Sequence, residues 1–247
     1  MSGELRAWLA AGEKPDEEFV DDAYRLVLRR DPEPEARERA LTKLREGTLS
    51  RATLLDELAG APEFGRIRLL DDGIALARGA RQRGERPRWL QGPPGTDERV
   101  VEVPWVLARL SGRRALEVGY AFAEPPYLAA LLGAGFDELV GVDLAEAEVP
   151  GLTAVRADVR DLPFEDGAFD LVLCVSTLEH VGADNPGYGL DAEDDGASRL
   201  TALRQLRRVL APGGRLLITV PGGEPGDYSW FRQDDVRGWT RLFTRAG

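Results

Sequence analysis

Between Arg114 and His180 the chain alternates short apolar runs with ends marked by glycine or acid. Ala115-Leu-Glu-Val-Gly119 leads into a helical stretch. Leu139-Val-Gly-Val-Asp143 follows, and then the segment from Ala157-Asp158 through Phe169-Asp-Leu-Val-Leu-Cys-Val175 to His180. An apolar run of this length bounded by turn residues reads as a strand buried on both faces. Parallel strands need long crossover connections, so strands alternating with helices predict an α/β fold, a Rossmann-like doubly wound parallel sheet. In such a sheet ligands bind outside the carboxyl ends of the strands. The pattern places strands near 114–119, 138–143, 152–157, 168–175 and 214–220, and helices over 124–133, about 197–210 and 233–245. The span from Asp143 to Leu152 is too short for a crossover helix and predicts a turn or a single helical turn.

The segment before this pattern is helical. Phe19, Val20, Ala23, Tyr24, Val27 and Leu28 recur at helical spacing. Asp31-Pro-Glu-Pro ends that helix and opens another, which Gly47 closes. Ser50 can cap a third helix carrying Leu54, Leu55 and Leu58. Ala61-Pro-Glu-Phe64 opens a fourth, expected to run to about Arg78. Arg78, Arg81, Arg83, Arg86 and Arg88 then make the chain locally basic, and Gly84, Pro87 and Gln91-Gly-Pro-Pro-Gly95 interrupt any regular element. A helix over Val100–Leu110 precedes the sheet. The expected organisation is a helical domain over 1–80, a linker over 81–99 and an α/β domain over 100–247.

Charge and cysteine content exclude several function classes. The formal net charge is −11, and Lys14 and Lys43 are the only lysines, which argues against broad phosphate-backbone binding. The linker arginines could meet an anionic partner, but a solvated linker explains them as well. A single cysteine, Cys174, excludes an internal disulfide framework and any multi-cysteine metal site. No apolar run reaches bilayer length, and Met1-Ser-Gly-Glu-Leu-Arg-Ala-Trp lacks the basic flank and apolar core of a signal peptide. These features lead to the expectation of a cytoplasmic protein, and the richness in Arg, Ala, Gly, Leu and Pro to that of a bacterial one. Asp191-Ala-Glu-Asp-Asp-Gly196 looks superficially like a calcium loop, but Ala202 stands where the closing bidentate Glu is required, so no metal site is expected.

Three acids end three successive strands. Glu117 precedes a turn at Gly119, where glycine lets the chain bend sharply and a ligand approach the backbone. Pro125 and Pro126 open the next helix, whose amides point back at that turn. Asp143 closes the second strand at the spacing where an acid meets ribose hydroxyls. Asp158 follows the third strand, where it could accept from an adenine amine while the Val159 amide faces the ring. Ala121 and Ala123 occupy positions where two further glycines are expected.

These residues, with Ala202-Leu-Arg-Gln-Leu-Arg-Arg-Val-Leu-Ala-Pro-Gly-Gly214-Arg-Leu-Leu-Ile-Thr-Val-Pro, make the stretch from about 100 to 247 similar to the class I S-adenosylmethionine-dependent methyltransferases. The resemblance implies S-adenosylmethionine as cofactor. Glu117 and Gly119, with Tyr120 and Ala121, would line its methionine end. Asp143 and Leu144 would hold the ribose, Asp158 and Val159 the adenine, and Val175 and Ser176 the sulfonium. His180 is the only histidine, lies just beyond the fourth strand, and is the candidate general base; the resemblance equally implies a histidine that packs or orients the loop. A nicotinamide dehydrogenase would want Gly-x-Gly-x-x-Gly at this turn, which is absent.

Residues 15–65 resemble a small helical domain often attached to bacterial glycosyltransferases and methyltransferases. The match rests on Phe19, Tyr24-Arg25, Leu28, Arg30-Asp31-Pro32, Pro34-Glu35, Leu44, Gly47 and Pro62-Glu63-Phe64, with Arg29 and Ala36 standing where glycine is usual. It implies attachment or partner contact rather than chemistry. The acceptor expected is a small molecule or a sugar, the sugar resting on the company this helical domain keeps. The loop from Gly182 to Gly196 reads as an acceptor-side lid or as a solvated loop. The methyltransferase pattern normally continues into two more strands after 235–246, so the expectation is a sheet whose strand at 214–220 is unpaired on one side, through truncation or a covering protein partner. The competing reading is a degenerate methyltransferase fold acting as a binding or scaffolding module.

Overall fold

The computed structural model describes residues 14–87, 92, 96–184 and 197–247. Chain contacts divide the described residues into two compact units: those up to Asp72 with Gly92–Val100, and Gly73–Gln91 with Val101–Gly247.

The first unit is helical. It holds α1 (Asp16–Leu28), α2 (Pro34–Arg45), α3 (Arg51–Ala59) and the first half of α4 (Pro62–Gln82). The helical periodicity of α1 puts Phe19, Val20, Ala23 and Val27 on one buried face, packed with Leu41, Leu54, Leu55 and Leu58. Ser50 caps α3, its Oγ accepting from the Thr53 amide at 3.1 Å. Arg30 pairs through both guanidinium branches with Glu63, at 2.7 and 3.0 Å. At Arg29 the backbone is left-handed, with φ 57°, so this position adopts the conformation that favours glycine. The fourth helix runs to Gln82 rather than ending near Arg78.

The second unit is built on a five-stranded sheet. Its elements are α5 (Arg99–Leu107, from Val101 onward), β1 (Arg114–Val118), a 3₁₀ turn (Tyr120–Phe122), α6 (Pro125–Leu132), β2 (Glu138–Asp143), β3 (Thr153–Arg156), β4 (Phe169–Val175), a second 3₁₀ turn (Leu178–His180), α7 (Ser198–Arg208), β5 (Leu210–Thr219), a short hairpin of β6 (Gly226–Asp227) and β7 (Arg232–Gln233), and α8 (Val236–Ala246). The strand order is β3-β2-β1-β4-β5, all parallel. The order reverses between β1 and β4, which opens a crevice at their carboxyl ends. As expected, no helix connects β2 to β3.

Two boundaries differ from the sequence expectation. The fifth strand starts at Leu210 because Phe169 pairs with Leu210 ahead of a register shift, and the regular pairing resumes at Leu171 with Arg215. The last helix starts at Val236, not 233, because Arg232 and Gln233 pair with Asp227 and Gly226 in the hairpin. Asp235 then caps that helix through the Gly238 amide at 2.7 Å.

The core of this unit joins Leu116, Val140, Val172 and Cys174 of the strands to Leu203 and Leu206 of α7 and to Trp239 of α8. Each fully buried aliphatic side chain contributes about 1.5–3 kcal/mol relative to exposure. This anchors the strand ends on which the polar residues sit.

Candidate functional site

Register brings the three predicted acids to one edge. Val118 pairs with Val142, and Asp143 with Arg156, so β1, β2 and β3 end side by side. The Ala157 amide then donates to the Asp143 carbonyl at 3.0 Å, which places Asp158 directly beyond β3.

Gly119 makes the turn after β1 with φ 87°, and a Cβ there would lie 2.3 Å from Thr177 Oγ1. Thr177 sits after β4. Its hydroxyl lies 3.1 Å from the Val118 carbonyl and 3.0 Å from the Val175 carbonyl, so one O–H is shared across the switch point between β1 and β4. Among the three positions expected to be glycine, only Gly119 requires a left-handed backbone; neither Ala121 nor Ala123 has positive φ.

Glu117 is buried, and its Oε2 accepts from the Tyr127 hydroxyl of α6 at 2.8 Å. Burial pushes this carboxyl well above the ordinary range. The Tyr127 hydrogen bond pulls the other way, and the nearby Glu102 adds to the upward shift. A carboxyl in that state either stays protonated or ionises for a cation that reaches it.

Asp143 is also buried. Its Oδ2 accepts from the Ala121 amide at 3.0 Å and its Oδ1 from the Ala145 amide at 3.1 Å. Each carboxylate oxygen can accept a second bond, so acceptor capacity remains for two hydroxyls. Leu144, next in the chain, is half-buried.

Tyr120 packs inward. Its ring lies over Gly141, where an added Cβ would come within 2.8 Å of it, and its hydroxyl donates to the Ala147 carbonyl at 3.1 Å. What Tyr120 can offer a ligand is therefore its main chain.

Asp158 is held by Arg160, which reaches it with its main-chain amide at 2.8 Å and with Nη2 at 2.6 Å. Burial raises this carboxyl, but the side-chain and backbone bonds from Arg160 outweigh it and leave it below the ordinary range. Val159, beside it, packs its side chain on the core.

At the end of β4, Val175 is buried and pairs with Thr219. Ser176 follows in a left-handed conformation, φ 43°. Its amide donates to Thr219 Oγ1 at 3.0 Å, and its hydroxyl lies 3.0 and 2.8 Å from the two carboxylate oxygens of Glu102. Glu102 is a buried acid on α5 that the sequence reading passed over as part of an apolar helix. The available signal was a lone acid within Val100-Val-Glu-Val-Pro-Trp-Val106.

His180 ends the second 3₁₀ turn on the same edge. Its Nδ1 lies 2.8 Å from the Trp230 carbonyl, and its ring stacks on the Trp230 indole with centroids 5.2 Å apart. Tyr228 and Phe231 stack beside it at 4.6 Å. Tyr228 and Trp230 are about half exposed. This aromatic group, on the hairpin loop, was not foreseen from sequence. The expected lid lies outside the described residues beyond Asp184. Among the described residues no group of three or more His, Cys, Asp or Glu is arranged to hold a metal, and no helix is long and apolar enough to cross a membrane.

Residues 116–218 match the family model of a methyltransferase domain. That span begins inside β1 and ends inside β5, so it contains all three acids and His180. A putative methyltransferase of Encephalitozoon cuniculi is 29% identical over 129 residues, covering 46% of this chain and 56% of that protein. A 27-O-demethylrifamycin SV methyltransferase of Amycolatopsis mediterranei is 29% identical over 143 residues, covering 50% of this chain and 46% of that protein. The chain thus spans about half the length of these curated relatives. Among solved structures, a methyltransferase of Thermotoga maritima, described as a possible histamine N-methyltransferase, is 22% identical, with TM-score 0.44, over 59% of this chain and 69% of its own.

Proposed function

We propose that the α/β unit transfers a methyl group from S-adenosylmethionine to a hydroxyl of a small-molecule or sugar acceptor. The observation that carries this reading is the convergence of Glu117, Asp143 and Asp158 at the ends of three adjacent parallel strands, beside a glycine turn with no room for a side chain.

The residues present fit the cofactor. Glu117 is a buried carboxyl suited to an ammonium group, and Asp143 retains acceptor capacity for a pair of ribose hydroxyls. Asp158 and the Val159 amide would meet the adenine, and Val175 and Ser176 the sulfonium side. When bound, the cofactor supplies an activated methyl group. The chain's own work is to bind, to orient and to take a proton. Alignment of reacting groups lowers such barriers by up to about 7–11 kcal/mol, and a general base adds roughly 10²- to 10⁴-fold. His180 is the base in this reading. The acceptor class draws support from the rifamycin relative, whose name specifies a small molecule. The half-exposed rings of Tyr228 and Trp230 suit a ring-bearing acceptor. The sugar alternative rests on the resemblance of residues 15–65.

Calorimetric titration with S-adenosylmethionine tests the reading. Wild type binds, and Asp143→Ala weakens binding at least tenfold. Absence of binding by both proteins would sink it and leave the scaffolding alternative.

A further inference from the structure

We propose that Trp230 is a positioning residue that holds His180 as the Nδ1–H tautomer, placing the basic lone pair on Nε2. The proposal rests on the methyl-transfer reading for what that lone pair does, and on geometry for the rest. A main-chain carbonyl can only accept, so at 2.8 Å the Trp230 carbonyl requires a proton on His180 Nδ1. The opposite neutral tautomer would set a nitrogen lone pair against the oxygen. The indole of the same residue stacks on the imidazole at 26° between planes, so one residue fixes both the tautomer and the ring plane.

The loop that presents Trp230 is itself braced. Asp227 Oδ1 accepts from the Ser229 amide at 3.0 Å, Tyr228 N–H donates to the Phe231 carbonyl at 3.0 Å, and Ser229 adopts φ 66°. The Ser229 carbonyl accepts from the Asp184 amide at 2.8 Å, which ties the loop to the segment that follows His180. The Trp230 carbonyl is therefore preorganised against the imidazole. Glu179 is buried with its Oε1 4.0 Å from Nε2, so an imidazolium formed by proton uptake at Nε2 would have a carboxylate beside it. In a methyl transfer the acceptor's O–H pair would form the new O–C bond, the S–CH₃ pair would stay on sulfur, and His180 would hold the released proton as the imidazolium.

His180 is the only histidine, so one imidazole spin system reports the state. The full chain, ¹⁵N-labelled at histidine, is observed by long-range ¹H–¹⁵N correlation at a pH where the ring is neutral. The nitrogen coupled strongly to both ring protons, Nε2, is expected to be pyridine-like, and Nδ1 pyrrole-like. A pyrrole-like Nε2 would overturn the proposal. Trp230→Ala keeps the carbonyl but removes the stack, and is expected to shift the two nitrogens toward averaged values. Unchanged nitrogens would show that Trp230's side chain does not position the ring. S-adenosylhomocysteine is then added. If it binds by calorimetry, the His180 ring resonances must move; binding without movement removes His180 from the donor edge. If it does not bind, the methyl-transfer reading fails, while the tautomer measurement still decides the role of Trp230.

Discussion

Thr177 fills the space that any side chain at position 119 would need, its Oγ1 lying 2.3 Å and its Cγ2 2.9 Å from where a Gly119 Cβ would fall. The conflict is double, because Gly119 also has φ 87°. Gly119→Ala is expected to lose about 1–2 kcal/mol to the left-handed backbone and a further ~1–3 kcal/mol to overpacking. Thr177→Ala removes the two closest atoms but not the backbone cost. The double variant should therefore be more stable than the sum of the two single losses predicts, as read by denaturant unfolding of all four proteins. Strict additivity would mean that Thr177 gives way freely.

Glu117→Gln separates stability from binding. The folded-state carboxyl of Glu117 is raised by burial, so the folded protein binds the proton more tightly than the unfolded chain. Below the unfolded carboxylate range both states are protonated and the charge has no effect. As pH rises from that range through the raised folded value, wild type loses stability. Glutamine keeps an acceptor for the Tyr127 hydroxyl without the charge. The variant should match wild type in acid and have the higher melting temperature at neutral and alkaline pH, with each 1 kcal/mol appearing as about 2–4 °C. Cofactor affinity should fall in the same variant and lose its rise with pH.

The Ser176–Glu102 contact holds a serine in a conformation it would otherwise avoid. Glu102→Ala is expected to cost about 1–3 kcal/mol, through the orphaned Ser176 hydroxyl and the vacated buried space. Ser176→Gly removes the backbone strain, so in the Glu102→Ala background it should recover part of the loss. Thermal unfolding checks this, and further destabilisation by the glycine would count against the strain argument.

Arg160→Ala addresses Asp158. This pair is partly exposed, and its loss should cost no more than about 1 kcal/mol at neutral pH. The lowered Asp158 carboxyl contributes stability that is present above the unfolded carboxylate value and is lost as pH falls through the folded one. The difference between variant and wild type should therefore vanish in acid. A difference that persists there would show that Arg160 acts through packing.

Much of the fold was legible because its periodicities are strong. The runs Ala115–Val118, Leu139–Asp143 and Phe169–Val175 are too apolar for exposed loops, and each became a strand. The hairpin at Gly226–Gln233 was not legible. Its strands are two residues each, and its function in the fold comes from a contact with His180 far back in the chain. Glu102 was missed for a related reason, since one acid in an apolar helix has no signature until its partner Ser176 is placed 74 residues away.

The sequence by itself determined the alternation of buried strands and helices, and with it a parallel sheet whose acids Glu117, Asp143 and Asp158 end on one edge. Local pattern suffices for this because burial on both faces and the period of two leave few alternatives. Only the tertiary structure decided how the edge is completed: Thr177 against Gly119, Glu102 beneath Ser176, Tyr120 turned inward over Gly141, and Trp230 against His180. These pairs join segments distant in sequence, and sidedness, distance and tautomer exist only once strand register and loop conformation have brought them together.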